Sequence, residues 1–149
     1  MELDSLYQEV ILDHYKHPMN KGLSATYGAQ VHHVNPSCGD EVTLNVSAEK
    51  GIITSITWDG VGCSISQASV SIASDLLVNK SFAEADAILN EFTELMHSKG
   101  TQQGNPEVLD DAVAFAGVSK FPARIKCALL GWMAIKDAAV RINTTTKGE

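Results

Sequence analysis

The sequence predicts an α+β fold, a small three-stranded antiparallel sheet with helices packed on one face. Three observations carry this. Apolar residues recur at three- and four-residue steps over 3–16, alternate with polar ones between about 28 and 60, and return to helical spacing after Gly62. The alternating stretches are joined by turn chemistry rather than by helices, which makes them an antiparallel meander. The remaining helices then follow in a run, the order of an α+β chain rather than of repeated βαβ units. At 149 residues the chain is long enough to bury a core without disulfide staples. With no linker or internal repeat, residues 1–149 read as one domain.

The first helix takes its apolar face from Leu3, Leu6, Tyr7, Val10, Ile11 and His14, and Pro18, Asn20 and Gly22 close it. Gln30 to Val34 is the first strand. In the second, Val42, Leu44 and Val46 alternate with Thr43, Asn45 and Ser47. The β-branched run from Ile52 to Trp58 makes the third, with Glu49-Lys50-Gly51 as the turn before it. Ile65, Ser69, Ile72 and Leu76 define the stripe of the next helix. Ser81 caps another, running to about Met96, with Glu84 in capping-box position. The polar stretch 97–105 reads as a loop. Asn105-Pro106 opens a short helix to about Ala116. Pro122 opens the last helix, with Ile125, Ala128, Trp132, Ile135, Ala139 and Ile142 on one stripe, and the tail from Thr144 to Glu149 is expected to fray.

Composition narrows the function. A hydrophobic fraction of 44% and a charged fraction of 19% are those of a globular chain. The formal net charge of -7 argues against nucleic acid or an anionic membrane as partner, since both would repel it. Met1-Glu2-Leu3-Asp4 offers neither the basic nor the apolar region of a secretory signal. The apolar run from Cys127 to Ile135 is broken by Lys136 and is too short to span a bilayer. The expected compartment is the cytoplasm, where thiols stay reduced.

Three cysteines and one carboxylate carry the chemistry. Cys38 lies in the turn Asn35-Pro36-Ser37-Cys38-Gly39-Asp40, with Asp40 two residues beyond it. Cys63 lies in Gly60-Val61-Gly62-Cys63-Ser64, where a strand hands over to a helix. Cys127 follows Arg124-Ile125-Lys126, one turn into the last helix. Three thiolates and a carboxylate fill the four-coordinate shell of a zinc ion. Core packing is the competing reading for each thiol, because free cysteine is among the most buried residue types. The settings favour the thiolate: a tight turn at Cys38, a helix N-terminus at Cys63, two cations beside Cys127. An odd cysteine count in a reducing compartment favours metal or catalytic roles over disulfides. The separations, 25 residues and then 64, match no zinc-finger spacing, and periodicity leaves open whether the three meet.

Ordered motifs through nearly the whole chain resemble the U-type iron–sulfur cluster assembly family, which includes IscU and the N-terminal domain of NifU. They are Leu6-Tyr7-Gln8-Glu9-Val10-Ile11-Leu12-Asp13-His14-Tyr15 with Pro18, Asn20 and Gly22, then Asn35 to Asp40, Gly60 to Ser69, and Phe121-Pro122-Ala123-Arg124-Ile125-Lys126-Cys127. Within the family the chain is most similar to the SufU branch, the zinc-dependent sulfurtransferases of the SUF system. Lys126 stands where IscU-type members usually carry a histidine before the third cysteine. Ser119-Lys120-Phe121-Pro122-Ala123 does not supply their Leu-Pro-Pro-Val-Lys chaperone motif. The stretch from about Ser98 to Gly117 resembles the insertion that marks SufU-like proteins.

The resemblance implies a SufE/NifU-like fold and one Zn2+ per chain, ligated by Cys38, Asp40, Cys63 and Cys127. It makes Cys38 the catalytic residue, accepting persulfide sulfur from a PLP-dependent cysteine desulfurase of the SufS type. A histidine of that desulfurase would take over the zinc and free Cys38 to attack, with the SUF scaffold complex as a downstream acceptor. The alternative on the same four ligands is a scaffold that assembles a transient [2Fe–2S] cluster, and a third reading is a purely structural zinc. Arg124 reads equally as a cation serving the thiolates or the desulfurase and as a solvated helix-terminal charge. His14 and His17 have metal-pair spacing, but His14 fits a satisfied helix residue better. His32 and His33 point to opposite strand faces. Trp58 and Trp132 read as core, and Asp86, Glu91, Glu94, Asp110 and Asp111 as a solvated acidic face.

Overall fold

The structure is a computed structural model that describes residues 5–36 and 39–147, with side chains over 7–36 and 39–142. Helix α1 (Ser5–Lys16) leads into strands β1 (Ala29–Asn35), β2 (Asp40–Glu49) and β3 (Ile52–Val61). Helices α2 (Ser64–Leu77), α3 (Phe82–Met96) and α4 (Pro106–Leu109) follow, then a 3-10 segment (Asp110–Lys120) and α5 (Pro122–Lys147). The strands form one antiparallel sheet in the order β1-β2-β3, the expected meander. Leu3 and Asp4 of the expected first helix, and Cys38 in the first turn, lie outside the described residues. No helix among the described residues is long and apolar enough to cross a membrane.

Strand register decides what reaches the functional end of the sheet. Alternate residues share a face, so the helix-covered side carries Ala29, Val46 and Ile56 in one row and Val31, Leu44 and Trp58 in the next. His33, Val42 and Gly60 come third, and Asn35 with Asp40 ends the series. The first two rows are buried core. The last row puts polar side chains against the start of two helices. Beyond β3 the chain just after α1 bridges Lys21 to Trp58 in parallel, with Gly22 N–H donating to Trp58 O at 2.7 Å. That contact covers a sheet edge that would otherwise offer free backbone groups.

Helix α2 is central and is buried almost all round. Its small polar residues make this possible, because each buried hydroxyl has a partner and none is left to pay desolvation. Ser69 Oγ donates to Ala128 O at 2.6 Å and accepts from Trp132 Nε1 at 2.9 Å, tying α2 to α5. Ser71 Oγ accepts from Met19 N–H at 2.8 Å and meets His14 Nδ1 at the same distance, tying α2 to α1. Gly131 sets the α2–α5 spacing. A Cβ there would lie 2.5 Å from Val70 Cβ and 3.0 Å from Val70 Cα. Trp132 stacks on Phe92 with centroids 4.0 Å apart, and Phe92 meets Phe115 edge-on at 6.1 Å. The readings of Trp58 and Trp132 as core, and of Ser81 and Glu84 as a capping box, hold.

Two expectations need correction. The short helix expected over 106–116 is only four residues long, because Asp110 adopts φ 48° and breaks it. The chain continues as a 3-10 helix, whose three-residue turn stacks Leu109, Ala112, Phe115 and Val118 on one fully buried face. The stretch that resembles an insertion is therefore core-forming over much of its length. The frayed tail is the second correction. Helix α5 runs through Lys147, since no breaker occurs before Gly148.

Enlarging Gly131 sets a loss of helix–helix contact against a gain of up to about 1 kcal/mol in helix propensity. Overpacking a rigid contact costs about 1–3 kcal/mol. Gly131→Ala is therefore expected to lower the urea midpoint, and an unchanged or raised midpoint would refute this packing account. A second outcome concerns acid. Asp137 on α5 holds Arg141 at 3.0 Å and His33 of β1 at 2.8 Å. The Arg141 hydrogen bond first, and the His33 bond next, keep its carboxyl below the usual carboxylate range. A folded-state pKa below the unfolded one stabilises above the unfolded value, about 3.9, and the gain disappears as pH falls through the folded value. Unfolding curves between about pH 5 and pH 2 should show a shallower acid decline for Asp137→Asn, by about 1 kcal/mol or less.

Candidate metal centre

The site forms where the polar row of the sheet meets two helix starts. Asp40 is the first residue of β2 and is fully buried. Cys63 is the N-cap of α2, with φ −73° and ψ 168°, and makes no side-chain cap hydrogen bond. Its thiol is left for other partners. Cys127 lies in the first turns of α5 and is fully buried, against a half-buried Cys63. One carboxylate oxygen of Asp40 and the sulfurs of Cys63 and Cys127 all lie within 4.8 Å of one another. A tetrahedron with Zn–S bonds of about 2.3 Å has edges of roughly 3.8 Å, so small shifts close the set onto one ion.

The hydrogen bonds around Asp40 are asymmetric. Its Oδ1 accepts from Cys63 N–H at 3.0 Å, while Oδ2 is buried with no hydrogen-bond partner among the described residues. No cationic side chain pairs with it among those residues, and Arg124 and Lys126 are exposed. A buried lone carboxylate costs several kcal/mol unless a cation meets it. A divalent ion held between this carboxylate and the two sulfurs would supply that charge. The α2 N-terminus adds its free N–H groups on the same side. These residues fit a zinc ion, and Cys38, which would complete the shell, lies outside the described residues.

Neighbours that the site residues alone did not suggest hold the arrangement. Gly62 is required, because a Cβ there would collide with Asp40 Oδ1 and with Ser66 Oγ. Ser66 Oγ donates to Cys63 O at 3.0 Å and lies 3.9 Å from Cys63 Sγ. Asn35, at the end of β1 and opposite Asp40 in register, is buried with its Nδ2 4.0 Å from Cys127 Sγ. Cys127 Sγ also lies 3.7 Å from Ala123 O, one helical turn back. Register parity was the available signal for Asn35, since it shares Asp40's face.

The other polar readings sort cleanly. His14 is held by Ser71 and by Asp111 Oδ2 at 3.5 Å, so it fastens α1 and belongs to no metal group, while His17 is exposed. Asp111 is exposed but holds His14, which amends its reading as merely solvated. His32 pairs with Glu41 on the outer face and His33 with Asp137 on the inner one, as strand alternation requires.

The chain is similar to known proteins over nearly its whole length. The family model of NifU-like N terminal domains matches residues 6–142. The zinc-dependent sulfurtransferase SufU of Bacillus subtilis is 39% identical over 139 residues, covering 93% of this chain and 92% of that protein. The iron–sulfur cluster assembly scaffold protein IscU of Streptococcus pyogenes is also 39% identical, over 94% of this chain and 86% of that one. The fold is shared with the crystal structure of a Fervidobacterium islandicum protein described as an iron–sulfur cluster assembly scaffold for the SUF system. Its TM-score is 0.79 at 29% identity, covering 91% of this chain and 97% of that one.

Burial of an unpaired carboxylate gives the site a signature with opposite signs. Asp40→Asn keeps the acceptor for Cys63 N–H and removes the charge. Metal-free protein should gain on the order of 1–3 kcal/mol in urea unfolding, while zinc affinity, read by chelator competition, should fall at least tenfold. A destabilised variant with intact zinc affinity would contradict the assignment of Asp40 as a ligand.

Proposed function

We propose that this chain, which belongs to the family of NifU-like N-terminal domains, is a zinc-dependent sulfur carrier for iron–sulfur cluster assembly, working in the cytoplasm as a single domain over residues 1–149. The observation that carries the reading is the fully buried Asp40 carboxylate, grouped with the Cys63 and Cys127 sulfurs and with one oxygen that has no hydrogen-bond partner among the described residues. Its similarity to the Bacillus zinc-dependent sulfurtransferase supports zinc as the occupant. Asp40, Cys63 and Cys127 would hold the ion, with Cys38 as the fourth ligand. Zinc supplies a redox-inert positive centre that gathers thiolates without oxidising them.

Cys38 is the sulfur acceptor in this proposal, and the donor is a persulfide on a PLP-dependent cysteine desulfurase of the SufS type. The Cys38 thiolate attacks the outer sulfur of that persulfide. A new S–S bond forms on Cys38, the S–S bond in the donor breaks, and the desulfurase cysteine leaves as a thiolate, so no external oxidant or reductant is needed. Position favours Cys38 for this part. It falls in sequence between β1 and β2, whereas Cys63 and Cys127 start helices that are locked into the core.

Scaffolding of a [2Fe–2S] cluster on the same ligands is the second reading, favoured by the equal identity to the Streptococcus scaffold protein. Sulfide release by a SufS-type desulfurase, with and without the zinc-loaded chain, separates the two. Strong stimulation that Cys38→Ser abolishes is the expected result. Undiminished stimulation by Cys38→Ser would remove the acceptor assignment, and a brown, iron-loaded protein that leaves the desulfurase unstimulated would move the chain to the scaffold class.

A further inference from the structure

We infer that Asn35 is a positioning residue that holds the Cys127 sulfur, through its side-chain amide, in the place where it serves as a metal ligand. The inference rests on the metal reading above and extends it to a residue outside the ligand set. Asn35 is the last residue of β1 and is 7% exposed. Burying a carboxamide is unfavourable unless its donors are used. Its Nδ2 faces Cys127 Sγ at 4.0 Å, across 92 residues of sequence. The placement follows from register, because Asn35 pairs with Asp40 and both project onto the helix-covered face.

The two residues act as a matched pair of anchors. Asp40 binds the backbone of Cys63 at the start of α2, and Asn35 addresses the sulfur of Cys127 at the start of α5. The chain between them includes Cys38 in sequence, and Gly39 N–H donates to Asn35 O at 3.0 Å. That bond uses the backbone of Asn35, so a side-chain change leaves it in place. Asn35 and Asp40 are thus each fixed to one cysteine at a helix start, and Gly39, at φ 71°, lies between them in a conformation glycine takes at little cost. An N–H donor directed at a ligating sulfur fixes its orientation and stabilises the thiolate form that binds metal. Groups of this kind change metal affinity about 10–100-fold when removed.

Cobalt(II) is the probe, since its tetrahedral d–d bands and sulfur-to-cobalt charge transfer report ligand geometry directly. Asn35→Leu keeps the branched shape and removes the donor. Asn35→Asp keeps the shape and replaces the donor with an acceptor. Both are expected to bind cobalt about 10–100-fold more weakly than the unsubstituted chain and to shift its d–d bands, with Asp the more severe. Far-ultraviolet circular dichroism of the metal-free variants confirms a retained fold, and a variant that fails this check is read through the other. Unshifted bands and unchanged affinity in a folded variant would overturn the role of Asn35 while leaving the metal reading intact. An unsubstituted chain that shows no sulfur-to-cobalt charge transfer would overturn the metal reading and this inference with it.

Discussion

A carboxylate without solvent, and without a cationic side chain beside it among the described residues, is the constraint around which the functional end of this molecule is built. Asp40 is placed there by strand register, two rows beyond the Leu44–Trp58 pair that centres the core. Its position follows from the sheet as strictly as that of any core valine. One oxygen accepts from the backbone at the start of a helix, the other has no hydrogen-bond partner among the described residues, and the carboxylate lies within reach of two thiols. The glycine before Cys63 gives up a side chain so that the carboxylate can sit against the backbone. Each of these choices is unfavourable for an empty core, and all become favourable when a cation occupies the space they enclose.

The rest of the fold holds the two helix starts still. Helix α2 is buried almost all round and α5 is pressed against it at Gly131, with the Ser69 hydroxyl shared between Ala128 O and Trp132 Nε1. Ala128 directly follows Cys127, so the interhelical hydrogen bond fixes the backbone beside the buried thiol. The aromatic cluster of Phe92, Phe115 and Trp132 lies one turn further along α5 and stiffens the same region. Two thiols are thereby set on rigid helix starts, so the part of the site that Cys63 and Cys127 supply is held by the core.

Much of this was legible in the chain itself. The switch from helical to alternating spacing and back located the sheet, and turn chemistry gave its order. The capping box at Ser81 and the proline at 122 marked helix starts that the structure reproduces. The motifs around Cys63 and Cys127 named two thiols, and Asp40 came with the turn motif. The family resemblance implied their convergence, but local spacing did not show it, because it depends on how α5 crosses the sheet, a long-range packing outcome. The 3-10 segment was misread for a local reason. Leu109, Ala112, Phe115 and Val118 recur at a strict three-residue step, which over so few residues resembles an α-helical stripe. Asn35 was overlooked because a polar residue beside a proline turn reads as turn chemistry, and only pairing with Asp40 shows that it faces inward.

Zinc K-edge absorption on the protein as purified tests the central claim most directly, because it counts the atoms around the metal. The account predicts a four-coordinate shell of three sulfurs at about 2.3 Å and one oxygen at about 2.0–2.2 Å. A shell made only of nitrogen and oxygen would contradict it, since no arrangement using Cys63 and Cys127 could produce one.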